Sequence, residues 1–233
     1  MPILLIPGFM LTSDLWRDVE QALQTFGPIH HADMSQGATI AEIAAGVLAD
    51  APPSFVLIGF SMGGYVAREI VRLAPGRVRV LILIATSARG DSEVQARRKA
   101  MFARNIGAIA FRGLSRSAVA SSLHPDNEGD LHLITRIQAM GNRLGEEIFR
   151  RQSLLVRKDE RDGLGSIQCP TLIIAGEKDR LRSRREAEEL HEGIASSRLE
   201  VVEGTGHMVP LEAPQELAGL LVRWLKGQVP VSV

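Results

Sequence analysis

Apolar positions along this chain occur in two alternating patterns, continuous runs and recurrences at helical spacing. The continuous apolar runs predict buried strands at residues 3–6, 29–32, 55–58, 78–85, 171–175 and 199–202. Apolar residues three and four positions apart predict helices at residues 13–26, 39–50, 65–74, 184–194 and 214–225. Strands that alternate with helices through short loops predict an α/β fold, with a mostly parallel twisted sheet and helices on both faces.

The alternation is interrupted in the middle of the chain. Between residues 89 and 166 the pattern contains helical spacings and glycines but no convincing strand. The strand pattern returns at Cys169-Pro170. We therefore predict one α/β core formed by residues 1–88 and 167–233, with residues 89–166 inserted between two strands as a helical lid.

The third long apolar run ends in the sequence Gly59-Phe60-Ser61-Met62-Gly63, which is a G-x-S-x-G motif followed by a helical pattern. A strand, a sharp turn and a helix form the context of a nucleophile elbow, which exposes a serine above the sheet. Glycines let the strand and the helix approach closely, and the helix N-terminus favours developing negative charge. The alternative is a glycine-rich turn without chemistry. Ser61 is the candidate nucleophile.

A serine hydroxyl is a weak nucleophile near neutral pH, so it needs a base and a group that orients this base. Asp179 and His207 each follow a predicted strand. Because the carboxyl ends of parallel strands lie at one edge of a sheet, we expect Ser61, Asp179 and His207 to meet there. Their order along the chain is typical of this geometry. Asp91, which follows an earlier strand, is the alternative acid.

These motifs carry a resemblance to a known family. Together with Pro7-Gly8-Phe9 after the first strand, they resemble the pattern of α/β-hydrolases over essentially the whole chain. The pattern is most similar to small lidded carboxylesterases, enol-lactonases and carbon–carbon bond hydrolases. Many such proteins have His-Gly where this chain has Pro7-Gly8, so we expect a different support beneath this loop.

The resemblance implies a role for each residue and no cofactor. Ser61 would be the nucleophile, His207 the general acid and base, and Asp179 the group that orients the imidazole. The backbone N–H groups of Phe9 and Met62 would form the oxyanion hole. We further expect several apolar side chains of the core and of the lid to bind substrate, although packing in the core is the alternative for the lid members. These are Phe9, Met10, Met62, Met208, Met101, Phe102 and Met140.

The predicted function is a serine hydrolase that cleaves a carboxylic ester, a lactone or a thioester through an acyl-enzyme. The same triad serves carbon–carbon bond and amide hydrolysis in this fold, and the sequence does not separate these reactions. A non-catalytic receptor with the hydrolase fold, which binds a small ligand, is the alternative from another class.

Composition narrows the partners. The 233 residues contain 27 basic and 27 acidic side chains, and this zero net charge indicates neither nucleic acid nor membrane as a partner. The predicted hydrolase function implies a small-molecule substrate. Adjacent residues of a strand point to opposite faces, so His30 and His31 predict no metal site.

Cys169 is the only cysteine, which favours a cytoplasmic protein. The apolar start at residues 1–6 lacks a basic flank and predicts no signal peptide. Oligomeric state does not follow from this pattern.

The zero net charge conceals an uneven distribution. Residues 89–165 contain 14 Lys and Arg against 10 Asp and Glu, so the insertion is basic and the rest of the chain is acidic. One interpretation is a solvated lid surface with ion pairs at helical spacing. The other is that arginines of the insertion border the cleft and attract an anionic substrate. The candidates for this role are Arg97, Arg98, Arg104, Arg150 and Arg157.

Overall fold

The structure is a computed structural model that describes residues 1–104, 111 and 113–229. Its strands are β1 (Ile3–Ile6), β2 (Ile29–His31), β3 (Phe55–Phe60), β4 (Val78–Ile84), β5 (Thr171–Gly176) and β6 (Ser197–Val202). Within the described residues these strands form one six-stranded sheet in the spatial order β2-β1-β3-β4-β5-β6. Every neighbouring pair is parallel, so the predicted parallel sheet is confirmed.

The helices are α1 (Arg17–Gln24), α2 (Ile40–Asp50), α3 (Met62–Leu73), α4 (Glu93–Arg104), α5 (Arg116–Ala120), α6 (Leu131–Leu154), α7 (Arg184–Gly193), α8 (Val209–Glu212) and α9 (Pro214–Lys226). Helices α2, α5, α6 and α7 begin at residues whose side chains cap them. The side chain of Thr39 accepts the N–H of Glu42, and Ser183 and Glu186 form a capping box.

Helices cover both faces of the sheet, as predicted. Because successive strand residues point to opposite faces, Ile3 and Leu5 of β1 pack in one core cluster and Leu4 and Ile6 in another. The first cluster includes Val19 and Leu23 of α1 and the three buried leucines of α9, which are Leu217, Leu221 and Leu225. The second contains the apolar faces of α2, α3 and α7. The sheet is therefore buried on both sides, which explains the apolar runs of its strands.

The described chain between β4 and β5 contains α4, α5, α6 and short 3₁₀ segments, but no strand. Helix α6 changes direction at Gly145, whose φ is +75°. Arg136 of α6 reaches the core, since its Nε lies 2.9 Å from Oδ2 of Asp14. Near the end of this segment, Nη2 of Arg68 lies 2.8 Å from Oε2 of Glu160. These ion pairs attach the helical segment to the α/β core.

Several boundaries differ from the sequence prediction. The predicted helix at residues 13–26 begins as a 3₁₀ turn over Ser13–Trp16, whose N-cap is Thr12. Helix α3 begins at Met62 instead of residue 65, because the chain reverses within the single residue Ser61. Helix α8 was not predicted, since its four residues are too few to display a period.

Candidate active site

Ser61 occupies a strained turn between β3 and α3. Its φ of +52° and ψ of −112° lie in a region that non-glycine residues rarely adopt. The N–H of Ser61 donates to the carbonyl of Ile84 at 2.9 Å, and Oγ1 of Thr86 donates to the carbonyl of Ser61 at 2.7 Å. A Cβ at Gly63 would lie only 2.4 Å from the carbonyl oxygen of Ile6. The surrounding backbone thus holds the serine above the sheet.

The structure brings the three predicted polar residues into one hydrogen-bonded chain. Oγ of Ser61 lies 2.9 Å from Nε2 of His207, and Nδ1 of His207 lies 2.8 Å from Oδ2 of Asp179. The Asp179 side chain is 1% exposed. An ionised carboxylate only accepts hydrogen bonds, so it places the ring proton on Nδ1 and leaves Nε2 to accept the Ser61 hydroxyl.

The second oxygen of Asp179 fixes the orientation of this carboxylate. Its Oδ1 accepts the backbone N–H groups of Leu181 and Arg182, each at 2.8 Å. These two donors come from the loop that follows β5. The carboxylate therefore presents Oδ2, and not Oδ1, to the imidazole.

Glu212 of α8 supports the loop that carries His207, and sequence reasoning missed it. Its Oε1 accepts the N–H groups of Gly206 at 2.9 Å and Met208 at 3.2 Å, on either side of the histidine. The N–H of His207 itself donates to the carbonyl of Ser122 at 2.8 Å. An acidic residue shortly after a histidine is too common to signal this role without the fold.

Asp91, the alternative acid, lies elsewhere. It pairs with the ammonium of Lys99, and its Oδ2 accepts the backbone N–H of Arg157 at 3.0 Å. Burial acts to raise the pKa of the Asp91 carboxyl, but the hydrogen bonds from Lys99 and Arg157 hold this pKa below its ordinary value. Asp179, and not Asp91, contacts His207.

The two residues predicted to donate to an oxyanion, Phe9 and Met62, lie in the loop after β1 and at the start of α3. Met62 is the first residue of α3, where a helix leaves its N–H groups without intrahelical acceptors. The loop that carries Phe9 is held by Gln152 at the end of α6, whose Oε1 accepts the N–H of Met10 at 2.8 Å. The Nε2 of Gln152 donates to the carbonyl of Met34. We expected a different support beneath the Pro7-Gly8-Phe9 loop, and Gln152 provides one.

A cavity of about 330 Å³ opens beside Ser61 and His207. Most of its wall is apolar, with contributions from the core and from the helical segment. The lining residues besides Ser61 and His207 are Phe9, Leu11, Phe60, Met62, Gln95, Leu114, Ala118, Val119, Ser122, Ile137, Arg157, Leu181, Arg182 and Met208.

This lining corrects part of the predicted substrate pocket. Phe9, Met62 and Met208 line the cavity as expected, but the other predicted members lie outside its lining. Met10 and Met140 are fully buried in the protein interior, and Met101 is 64% exposed. Phe102 packs edge-on against Phe149, with 5.7 Å between the ring centroids. Helical spacing marked these side chains as apolar without revealing which surface they face.

Of the arginines predicted to border the cleft, some line the cavity and others do not. Arg157 lines the cavity, whereas Arg97 and Arg98 are exposed on α4. Arg150 pairs with Glu146 at 2.5 Å. The side chain of Arg104 lies outside the described residues. Arg182, which the sequence did not single out, joins Arg157 in the lining.

The described part of the chain contains no group of three or more His, Cys, Asp or Glu side chains that could hold a metal ion. His31 instead forms a pair with Glu20, with 3.0 Å between Nε2 and Oε1. Among the same residues, no helix is both long enough and apolar enough to cross a membrane.

Comparison with known proteins identifies the family. A sequence model of the alpha/beta hydrolase family matches residues 3–220. The chain is 26% identical to a pimeloyl-(acyl-carrier protein) methyl ester esterase of Vibrio campbellii, over 95% of this chain and 92% of that protein. It is 27% identical to the esterase of the same name from Neisseria meningitidis, over 97% and 93% of the two chains.

Solved structures give the same result. A malate-bound thermophilic esterase from Thermogutta terrifontis superposes with a TM-score of 0.84 and 25% identity, over 99% of this chain and 91% of the esterase. An enol-lactonase from Burkholderia xenovorans has a TM-score of 0.80 at 20% identity, over 97% and 91%, and this likeness concerns the fold. The chain is therefore an enzyme of the alpha/beta hydrolase family.

Proposed function

We propose that this enzyme hydrolyses a carboxylic ester through an acyl-enzyme, with Ser61, His207 and Asp179 as its catalytic triad. The single observation that carries the proposal is the hydrogen-bonded chain from Ser61 Oγ through His207 to Asp179, with distances of 2.9 Å and 2.8 Å. This arrangement activates a serine hydroxyl, because the imidazole can accept its proton while the carboxylate stabilises the resulting imidazolium.

The proposed reaction has two halves. Oγ of Ser61 attacks the ester carbonyl while Nε2 of His207 takes the hydroxyl proton, and the backbone N–H groups of Phe9 and Met62 stabilise the oxyanion. The imidazolium then protonates the departing alcohol, which leaves the acyl group on Ser61. Water, deprotonated by His207, attacks the acyl-enzyme and releases the carboxylic acid and the free serine.

The names of the relatives support an ester, rather than another substrate of this fold, as the substrate of this enzyme. The Vibrio and Neisseria proteins are named as methyl ester esterases, and the Thermogutta protein is an esterase. We further propose that the inserted segment at residues 89–166 acts as a lid, since Leu114, Val119 and Ile137 belong to it and line the cavity. A lid of this kind would exclude water and enclose an apolar acyl or alcohol group.

Labelling with a fluorophosphonate tests the proposed nucleophile. We expect stoichiometric labelling of Ser61, and Ser61→Ala should abolish it and lower kcat for an aryl ester by about 10⁴-fold or more. Mass spectrometry of the labelled peptide and steady-state kinetics give the two readouts.

Ser122 provides the matched control, because it lines the same cavity and its Oγ donates only to the carbonyl of Val119 within the described residues. Ser122→Ala should retain both labelling and turnover. Labelling of Ser122 or another residue, with Ser61→Ala still active, would refute the mechanism. A single slow turnover by the unmodified protein would instead support a receptor.

A further inference from the structure

We propose that the cavity selects an ester that also carries a free carboxylate, which Arg157 and Arg182 bind. This inference rests on the proposed ester hydrolase function and specifies its substrate class. Both arginines line the cavity that contains Ser61 and His207. Arg157 follows α6 in the helical segment, and Arg182 lies in the loop after β5 that carries Asp179.

The guanidinium of Arg157 has hydrogen-bond donors to spare. Its side chain is 24% exposed, and its Nε lies 3.5 Å from Oδ1 of Asp91, which is too long for a good hydrogen bond. Within residues 1–104, 111 and 113–229, no acceptor forms a hydrogen bond with this guanidinium. Since a guanidinium carries five N–H donors and this one has no such acceptor, its donors are available to a ligand anion.

Arg182 is also incompletely paired. Its side chain is 14% exposed, and its buried Nε has no hydrogen-bond partner in the described chain. Its Nη1 donates to the carbonyl of Leu181 at 3.2 Å and lies 3.7 Å from Oε1 of Glu186. The other oxygen of Glu186 accepts the N–H and the hydroxyl of Ser183. The charge of Arg182 is therefore only partly neutralised.

One aromatic ring, that of Tyr65, lies near both arginines. The Cζ atoms of Arg157 and Arg182 lie 5.7 Å and 5.8 Å from the ring centroid of Tyr65, within the range of cation–π contacts. The Tyr65 hydroxyl donates to the carbonyl of Arg89 at 2.9 Å, which holds the ring in place. The two guanidinium groups therefore lie near one ring, four residues after Ser61, which the Cζ of Arg68 also approaches to 4.7 Å.

The local charge balance is positive. Asp91 is the common carboxylate partner of Lys99 and Arg157. Burial, followed by the positive charges of Arg157 and Arg182, lowers the pKa of the Lys99 ammonium, although its hydrogen bond to Asp91 acts in the opposite direction. An anionic group on the substrate would relieve this repulsion. Arginine suits a carboxylate because its planar fork matches the two oxygens.

The experiment compares esters that differ in one charge. The first pair consists of the 4-nitrophenyl monoester of adipic acid and the neutral 4-nitrophenyl ester of adipamic acid. The second pair consists of the hexanoate esters of 3-hydroxybenzoic acid and of 3-hydroxybenzamide, which move the charge to the alcohol part. We expect the carboxylate to raise kcat/KM by about tenfold or more in one of these pairs, as for a charged hydrogen-bonded contact.

Arginine variants then test the assigned residues. Arg157→Gln and Arg182→Gln should each reduce the preference for the charged ester toward unity, mainly through KM. Arg157→Lys and Arg182→Lys keep the charge but lose the fork, so they should retain an intermediate preference. Arg98→Gln makes the same charge change on the exposed side of α4 and should leave the preference intact.

The outcomes separate this inference from the proposed function. If the wild-type enzyme hydrolyses the neutral esters through Ser61 with no preference in either pair, the carboxylate site is refuted and the esterase proposal stands. An equal loss in Arg98→Gln would replace the site with a general surface field and also refute it. If no ester is hydrolysed and Ser61 is not labelled, the proposed function itself fails. The wild-type comparison needs no variant, so it remains decisive if a variant does not fold.

Discussion

At the scale of single residues, the two carboxylate oxygens of Asp179 have different partners. Oδ1 accepts two backbone N–H groups, and Oδ2 lies next to Nδ1 of His207 and so determines the imidazole tautomer. In Asp179→Asn, the backbone N–H groups of Leu181 and Arg182 would retain the amide oxygen on their side. The amide NH₂ would then face Nδ1 of His207, which forces the ring proton onto Nε2, where it cannot accept the Ser61 proton. We expect kcat to fall by as much as about 10⁴-fold with little change in unfolding temperature.

The corresponding change at Asp91 is the control for this residue. Asp91 contacts Lys99 and Arg157 rather than His207, so Asp91→Asn should spare kcat for a neutral ester. Steady-state kinetics of both variants with one neutral aryl ester make the comparison. A large loss of kcat in Asp91→Asn, together with a near-normal kcat in Asp179→Asn, would show that Asp91 is the orienting acid and that its assignment to Asp179 is wrong.

At the scale of elements, the end of α6 is attached to the loop after β1 through Gln152. This side chain is 4% exposed and is the acceptor for the N–H of Met10, whose φ is +55°. In Gln152→Met the volume is nearly kept but the buried N–H loses its acceptor, which should reduce the free energy of unfolding by about 1–3 kcal/mol. If Phe9 contributes an oxyanion donor, displacement of its loop should also lower kcat by up to about 10²-fold.

Urea unfolding and kinetics with a neutral ester measure the two effects of Gln152→Met. Gln168→Met serves as the control, because Gln168 also donates from its side chain to a backbone carbonyl, that of Gly165 at 2.9 Å, but is exposed and outside the cavity lining. Loss of stability without loss of kcat would show that α6 supports the fold but not the oxyanion site.

At the scale of the whole molecule, the charge distribution predicts a salt effect. Residues 89–165 carry 14 basic and 10 acidic side chains, and the remainder carries 13 basic and 17 acidic ones. A basic insertion above the cavity would attract an anionic substrate over a distance set by the Debye length, which falls from about 30 Å at 0.01 M to about 10 Å at 0.1 M ionic strength. We expect kcat/KM for a carboxylate-bearing ester to fall over this range.

The neutral partner ester provides the reference for this salt effect, since it experiences no long-range attraction. Its kcat/KM should stay nearly constant over the same salt series. Parallel salt profiles for the charged and neutral esters would contradict long-range steering by the charge of the insertion.

The extent to which the sequence predicted this molecule follows from burial. A parallel strand covered on both faces is apolar along nearly its whole length, so β1, β3, β5 and the part of β4 after Arg79 were recognisable as continuous runs. The residues that follow such strands share one sheet edge, and this rule placed Ser61, Asp179 and His207 near one another before the structure did. The position of Met140 could not be predicted in this way. A helical period identifies a buried face without saying whether that face meets the core or a cavity, and Met140 is buried in the core.

The sequence by itself therefore determined the α/β class, the strand positions and the three polar residues that meet at the sheet edge, because these depend on local pattern and on a general property of parallel sheets. Only the tertiary structure decided the strand order, the support of the Phe9 loop and the position of Arg157 and Arg182 in one cavity lining. Gln152 and Met10 are 142 positions apart. Contacts of this kind depend on how elements pack and on where long polar side chains find partners, and no short-range pattern encodes either.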